Sequence, residues 1–399
     1  MTKALGGLLV IDTTSAFWAS LGLTLLADFG ADVIKVEARA GGRRMRAPGV
    51  YEPDGWNYLF DLANRNKRSL AVDATNAEGA EILRSLIAVA DAFVTDEAPG
   101  QLEGSEWSYD RLTSMKPDLV YAVASGFGPL GIDRDTPALD ELAAGRTGML
   151  PILPQPGQPP VYPGTGQMYS SVMLALGIMT ALNHRRKTGE GQRVDVSLLG
   201  GNMYGASLDL QAYLAIGGER FLHPISRMDA GNPMSGPSYP SADGRWVTLT
   251  MPDTGRYWPQ FAEVVGLDPD DPRFDTHEKR CEDNRLEMIR VLDEVFRRQP
   301  ADHWRSEFIA NGLSGDVIED FSYPTSDPEA RENRYIMEVQ HPGVGRVDML
   351  GFPIFMSDTP ASLERLAPGA GQDTAEILCT TLNYDQSRIS RLRKSGVIS

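Results

Sequence analysis

A chain of 399 residues exceeds the size at which one hydrophobic core usually stops growing, so two lobes are expected. A hydrophobic fraction of 42% with 23% charged residues is that of an ordinary globular protein. The net charge of −16 opposes nucleic acid and anionic membranes, whose phosphates such a field repels. Two cysteines, Cys281 and Cys379, far apart and without a metal-ligand spacing, point to a reducing compartment, no disulfide framework and no metal site.

In chain order, Leu8 to Asp12 reads as a buried strand, and its apolar run is too short for a signal-peptide core or a membrane span, so a cytoplasmic protein is expected. Ala16 to Phe29 has helical periodicity ending at Gly30, and Val33 to Glu37 reads as a second strand. The alternation recurs: Ser69 to Val72 extended, Ala77 to Ala90 helical, Ala92 to Thr95 extended, Tyr109 to Met115 helical, Leu119 to Ala124 extended. It implies a mostly parallel sheet with right-handed crossovers. Thr13 to Trp18 stands where a Gly-x-Gly-x-x-Gly would follow the first strand, so a nicotinamide or flavin fingerprint is absent. After the proline-rich stretch Pro151 to Pro163, a helix is predicted from Met168 to about Arg186, then a turn over Lys187 to Gln192 and a strand over Arg193 to Leu199. From about His223 the texture changes, with a strand at Val247 to Met251 and helices near Gln260 to Val265 and Arg285 to Arg298. The predicted boundaries are 1–222 for the first part of a large domain, 223–326 for a small domain, and 327–399 for a return to the large one.

Seven segments stand out: the run Leu26 to Glu37, Asn64-Arg65-Asn66-Lys67-Arg68-Ser69-Leu70, Gly126-Phe127-Gly128, Thr188-Gly189-Glu190-Gly191-Gln192, Asp243-Gly244-Arg245-Trp246, His341 to Gly345 and Ala367-Pro368-Gly369. Together they resemble family III CoA-transferases, the group of formyl-CoA transferase, carnitine CoA-transferase and 2-methylacyl-CoA racemase. Each is weak alone, but their order and spacing span almost the whole chain. The resemblance implies an α/β fold: a Rossmann-like large domain built from both chain ends, a smaller central α+β domain, and two protomers interlocked as rings in an obligate oligomer. It implies CoA thioesters as substrates, with no tightly bound cofactor.

In that family an aspartate about ten residues before the Gly of a Gly-Ile-(Leu/Met) step carries the acyl group. Here the step is Gly177-Ile178-Met179 and Gln167 occupies the aspartate's position. A carboxylate attacks the donor thioester, forms a mixed anhydride, and is converted by CoA thiolate into an aspartyl thioester. A primary amide offers no such oxygen. The racemases' His position is Leu139, and the adjacent Asp140 is a runner-up nucleophile. The CoA contacts are eroded as well. The family's Ala-Gly-Pro appears as Ala19-Ser20-Leu21, and its Glu-Asn-Phe-(Arg/Lys)-Pro-Gly appears as Thr95-Asp96-Glu97-Ala98-Pro99-Gly100, placing two carboxylates where an amide and an aromatic are expected. What remains for phosphate is Arg39, Arg43, Arg44 and Arg46, with Lys67 and Arg68.

These substitutions predict a subunit of a CoA-transferase that moves CoA between an acyl-CoA, succinyl-CoA among the candidates, and a carboxylic acid. In this reading the chain itself lacks the nucleophile and supports a homologous subunit that keeps the aspartate. Succinyl-CoA:benzylsuccinate CoA-transferase, built from two unlike homologous subunits, is the pattern in the family. The alternatives are an acyl-CoA lyase, isomerase or racemase with altered residues, and a regulatory protein on the same scaffold.

Overall fold

A computed structural model of the protein describes residues 3–38, 56–218 and 222–399. The chain divides into two compact units, one comprising Met1–Leu150, Val161–Glu219 and Glu332–Ser399, the other Pro151–Pro160 and Arg220–Arg331.

The first unit holds a six-stranded parallel sheet in the order β3-β2-β1-β4-β5-β6. Its strands are β1 (Leu9–Asp12), β2 (Asp32–Glu37), β3 (Arg68–Ala71), β4 (Ala92–Thr95), β5 (Val120–Ser125) and β6 (Gln192–Ser197). The connecting helices are α1 (Phe17–Asp28), α2 (Tyr58–Asn64), α3 (Ala77–Val89), α4 (Pro99–Leu102), α5 (Tyr109–Met115), α6 (Asp140–Ala144) and α7 (Gly166–Thr188). Alternation along the strands supplies two cores. Ile11, Ile34, Leu70, Phe93 and Tyr121 point to a layer that includes α3, and Val10, Val33, Val94 and Ala122 point to α1 and α7. The helices α1 and α7 pack at close range, because a Cβ on Gly22 would lie 2.6 Å from the Ser171 carbonyl oxygen. The predicted last strand is shorter than expected. Leu198 leaves β6 to begin α8 (Leu198–Gly205), with Ser197 accepting a hydrogen bond from Gly200 N as its cap, and α9 (Ser207–Ile216) follows.

The second unit has an antiparallel sheet, β7 (Ser235–Pro240), β8 (Trp246–Thr250) and β9 (Gly315–Ile318), over α10 (Thr254–Val265), α11 (Arg285–Phe296) and α12 (Ala301–Asn311). Its core is rich in aromatic rings, with Tyr239, Trp304 and Phe308 each packed against Phe296. Helix α10 begins earlier than its periodicity indicated: Asp253 caps Arg256 N and the helix runs through Pro259. After α13 (Pro328–Glu332) come the hairpin β10 (Ile336–His341) and β11 (Gly345–Leu350), then α14 (Thr374–Leu382) and α15 (Gln386–Lys394). Ile377, Leu378, Ile389, Leu392 and Ile398 complete the α3-side core, so both chain ends build the first unit. No helix among the described residues is long and apolar enough to cross a membrane.

Beneath the first turn of α1 lies a buried charged network. The Asp12 carboxylate, at the end of β1, pairs with Lys35 Nζ at 3.2 Å and Lys67 Nζ at 3.0 Å, and all three side chains are almost wholly excluded from solvent. Lys35 also donates to Thr14 O and Ser20 Oγ, and Lys67 to Ser20 O at 2.8 Å and Asn64 Oδ1 at 3.3 Å. Burial opposes ionisation of Asp12, but Lys35 and Lys67 outweigh it and hold the carboxyl well below its usual range. Burial brings the Lys67 ammonium down to about 8, against the pull of Asp12.

Two ammonium groups thus share one carboxylate, and the two kinds of truncation are expected to be unequal. Asp12→Asn strands both lysines and should cost about 3–5 kcal/mol. Lys67→Met leaves Lys35 to neutralise Asp12 and should cost less than half as much. Between pH 8 and 10.5 the unfolded chain holds the Lys67 proton more tightly than the folded one, so the wild type should gain stability relative to Lys67→Met as pH rises through that window. Urea denaturation of the three proteins across that range checks both the order and the slope.

Candidate functional site

The first turn of α7 carries the position on which the chemistry turns. Gly166 opens the helix because no side chain fits there: a Cβ would meet the Asn202 amide of α8 at 2.1 Å. Gln167 follows, half-buried, with Nε2 3.5 Å from the Gly164 carbonyl, at the limit of a hydrogen bond. Thr165 caps the helix with backbone only. The turn therefore presents a loosely held amide, a donor and an acceptor without a nucleophilic oxygen.

Asp140, the first residue of α6, is 7% exposed. Its Oδ2 accepts from the Tyr162 hydroxyl at 2.6 Å and its Oδ1 from Asn202 Nδ2 at 2.7 Å. Burial and this carboxylate together raise the Tyr162 phenol above its ordinary range. One carboxylate thus ties α6, the segment leading into α7, and α8 into a frame around Gln167, with both oxygens engaged. Leu139 is 53% exposed. Tyr162 and Asn202 were not singled out from the sequence. The signal that bears on Asn202 is the Gly200-Gly201 pair before it, since a Cβ on Gly201 would lie 2.0 Å from Ser170 Oγ and the pair lets α8 approach α7.

At the carboxyl ends of β1 to β4, Asp96 reaches the N-terminus of α1. Its Oδ2 accepts from Ser15 N at 2.7 Å, Ala16 N at 2.6 Å and Ser15 Oγ at 3.0 Å. These amides form the kind of helix start that favours anions, and here the chain's own carboxylate occupies it. The adjacent cavity, about 230 Å³, is lined by Glu37, Asp73 and Glu97 with Thr13, Phe93 and Trp107, and no lysine or arginine is among its described lining residues. Ala98 is half-buried and precedes α4. Glu103 is paired bidentately with Arg134.

Of the basic residues singled out for phosphate, Lys67 is buried in the network under α1, and Arg68 pairs with Asp32 and Glu376. Arg39 and Arg46, with Arg43 and Arg44, lie outside the described residues. No group of three metal-ligating side chains occurs among the described residues.

A wide apolar surface flanks the site. Helix α7 leaves Met168, Tyr169, Val172 and Leu176 exposed, and α9 has no buried residue at all, with Leu208 at 87%, Leu214 at 70% and Ile216 at 65% exposure.

The family model of CoA-transferase family III matches residues 5–374. The chain is 27% identical to the (R)-2-hydroxy-4-methylpentanoate CoA-transferase of Clostridioides difficile, over 99% of each chain. It is 28% identical to the succinyl-CoA:glutarate CoA-transferase of Homo sapiens, over 99% of this chain and 90% of the relative. Among solved structures, a CAIB/BAIF family protein from Brucella suis is similar with a TM-score of 0.79 and 26% identity, over 94% of this chain and 99% of that one.

The Asp140 frame has a measurable signature. In Asp140→Asn the amide nitrogen faces either the Asn202 NH2 group, losing a buried bond, or the Tyr162 hydroxyl, which must reverse from donor to acceptor, and both neutral bonds replace ones to a carboxylate. The expected cost is about 1–3 kcal/mol in chemical denaturation, and Tyr162→Phe, removing one donor of the same frame, should cost less.

Proposed function

The chain belongs to CoA-transferase family III, and on that premise we propose that it is the supporting subunit of a hetero-oligomeric transferase, which moves CoA from an acyl-CoA such as succinyl-CoA to a carboxylic acid. The observation that carries this reading is Gln167 at the first turn of α7, where the family's acyl-carrying carboxylate is expected. The covalent cycle needs an oxygen nucleophile that first takes the acyl group and then the CoA. A glutamine amide supplies neither step. Asp140 is a poor substitute, because attack through either oxygen would first have to break its bond to Tyr162 or to Asn202.

Two further features favour this reading over an altered enzyme acting alone. Asp96 fills the anion position at α1, and the cavity beside it is acidic, so a diphosphate meets carboxylates where a CoA enzyme needs donors. The bare apolar faces of α7 and α9 call for a cover, and a homologous chain that keeps the aspartate is the occupant we propose. An acyl-CoA racemase would need bases where Leu139 and Gln167 stand.

Co-expression with an aspartate-bearing homologue is the test. A complex containing both chains in equal number is expected, and changing the partner's aspartate to asparagine should lower transfer by several orders of magnitude. Gln167→Asp in this chain alone should yield little activity. A fast homomeric transferase from that single change would overturn the supporting role and point to an intact CoA site.

Pure chain should bind CoA more weakly than micromolar in calorimetry. It should also show no hydroxylamine-trappable acyl adduct after incubation with succinyl-CoA. A tight CoA isotherm, or an adduct mapped to Asp140, contradicts the reading.

A further inference from the structure

A second cavity, wholly within the second unit, has a different character from the acidic crevice of the first. Its volume is about 880 Å³, within the range of small-molecule sites. Among its described lining residues Arg227 is the only charged one, so in a chain of net charge −16 this cavity shows one cation and no carboxylate. The guanidinium is fixed from behind. One NH2 group donates to Asp293 Oδ2 at 2.5 Å and the other reaches the Ser238 carbonyl at 3.4 Å. The Arg227 side chain is 28% exposed and that of Asp293 11%, so the cation lies toward solvent and its counter-ion behind it. Trp246, whose ring centre is 6.0 Å from the guanidinium carbon, forms a wall with Ile225, Met228 and Pro237. A Cβ on Gly231 or Gly236 would meet nothing within 4 Å, so the floor is open.

We propose that this cavity binds a small organic carboxylate with an apolar or aromatic body, the carboxylate on Arg227 and the body against Trp246. An arginine held by two acceptors keeps N–H donors in a fixed fork, which suits a planar carboxylate. The indole and its aliphatic neighbours reward an apolar body and give nothing to a highly charged one. The role as a place for the acid that receives CoA rests on the functional reading above; the binding itself does not.

The experiment is a calorimetric titration of the full chain, free of any acyl-CoA, with phenylacetate, hexanoate and succinate, each against its amide. Phenylacetate and hexanoate are expected to bind at least tenfold more tightly than their amides, and more tightly than succinate. Arg227→Gln should erase the acid-over-amide preference. Trp246→Ala, at a residue 42% exposed whose ring faces Arg227 while the Arg227–Asp293 hydrogen bond is made without it, should weaken phenylacetate severalfold while keeping that preference, and it serves if Arg227→Gln fails to fold. The proposal is overturned if no acid binds more tightly than its amide, if the preference survives in folded Arg227→Gln, or if Trp246→Ala leaves phenylacetate unchanged. Loss of acid binding in a chain whose co-expressed complex still transfers CoA would sink this site and leave the functional reading standing.

Discussion

The Asp12 carboxylate is the point from which the first unit is hung. It sits at the end of the central strand, and the two lysines it holds come from β2 and from the residue before β3, while Ser20 and Asn64 bring α1 and α2 to the same spot. A buried cluster of this kind gains little net stability over an apolar core, because desolvation of three charges offsets most of their attraction. What it fixes is register. A one-residue slip of β2 or β3 would turn Lys35 or Lys67 to the other face and strand a charge, so the strand order and the entry of α1 are specified together. Arg65, the next residue after Asn64 at the C-terminal end of α2, does comparable service, donating to Asp28 and to the carbonyls of Leu350 and Gly351, and so fastening the β11 end of the hairpin.

The same unit contains the departures from the family pattern, and they are local. Gln167 and Asp96 each keep a place in the backbone framework while changing what that place can do. An amide at the start of α7 leaves helix geometry untouched, since Gly166 and the Asp140 frame position the turn. A carboxylate at α1's N-terminus strengthens the helix through the very amides an anionic ligand would use. Fold and side-chain chemistry are therefore separable here: a substitution that changes what a position can do can be neutral or favourable for stability.

The strands β1, β4 and β5 were legible because each is a short apolar run between helical periods, whereas β6, with no residue fully buried, was read from the Gly-rich turn before it. Gln167 was legible as a position because it lies at a fixed spacing from Gly177, and the spacing survives any change of side chain. The Tyr162–Asp140–Asn202 frame was not, since it joins residues separated by up to 62 positions through hydrogen bonds that leave no local pattern. Helices α8 and α9 were missed for another reason. Leu198 to Ile216 contains several glycines and apolar residues on all sides of the helix, so neither period nor amphipathicity marks them. Nothing in the basic run around Lys67 marks it as the side chain that a buried aspartate draws inward.

Helix α9 carries a kinetic implication. A ten-residue helix with none of its residues buried has little tertiary packing to stabilise it, and segments of that length are marginal in water on propensity alone. On the proposed pairing with a homologous chain, the order of α9 is linked to the cover over Leu208, Leu214 and Ile216. Part of the free energy of that association would go into folding the segment, and a chain that had not met its partner would expose a sticky, frayed stretch. The lifetime of such a free subunit would be set less by the stability of its sheet than by how soon that segment is captured.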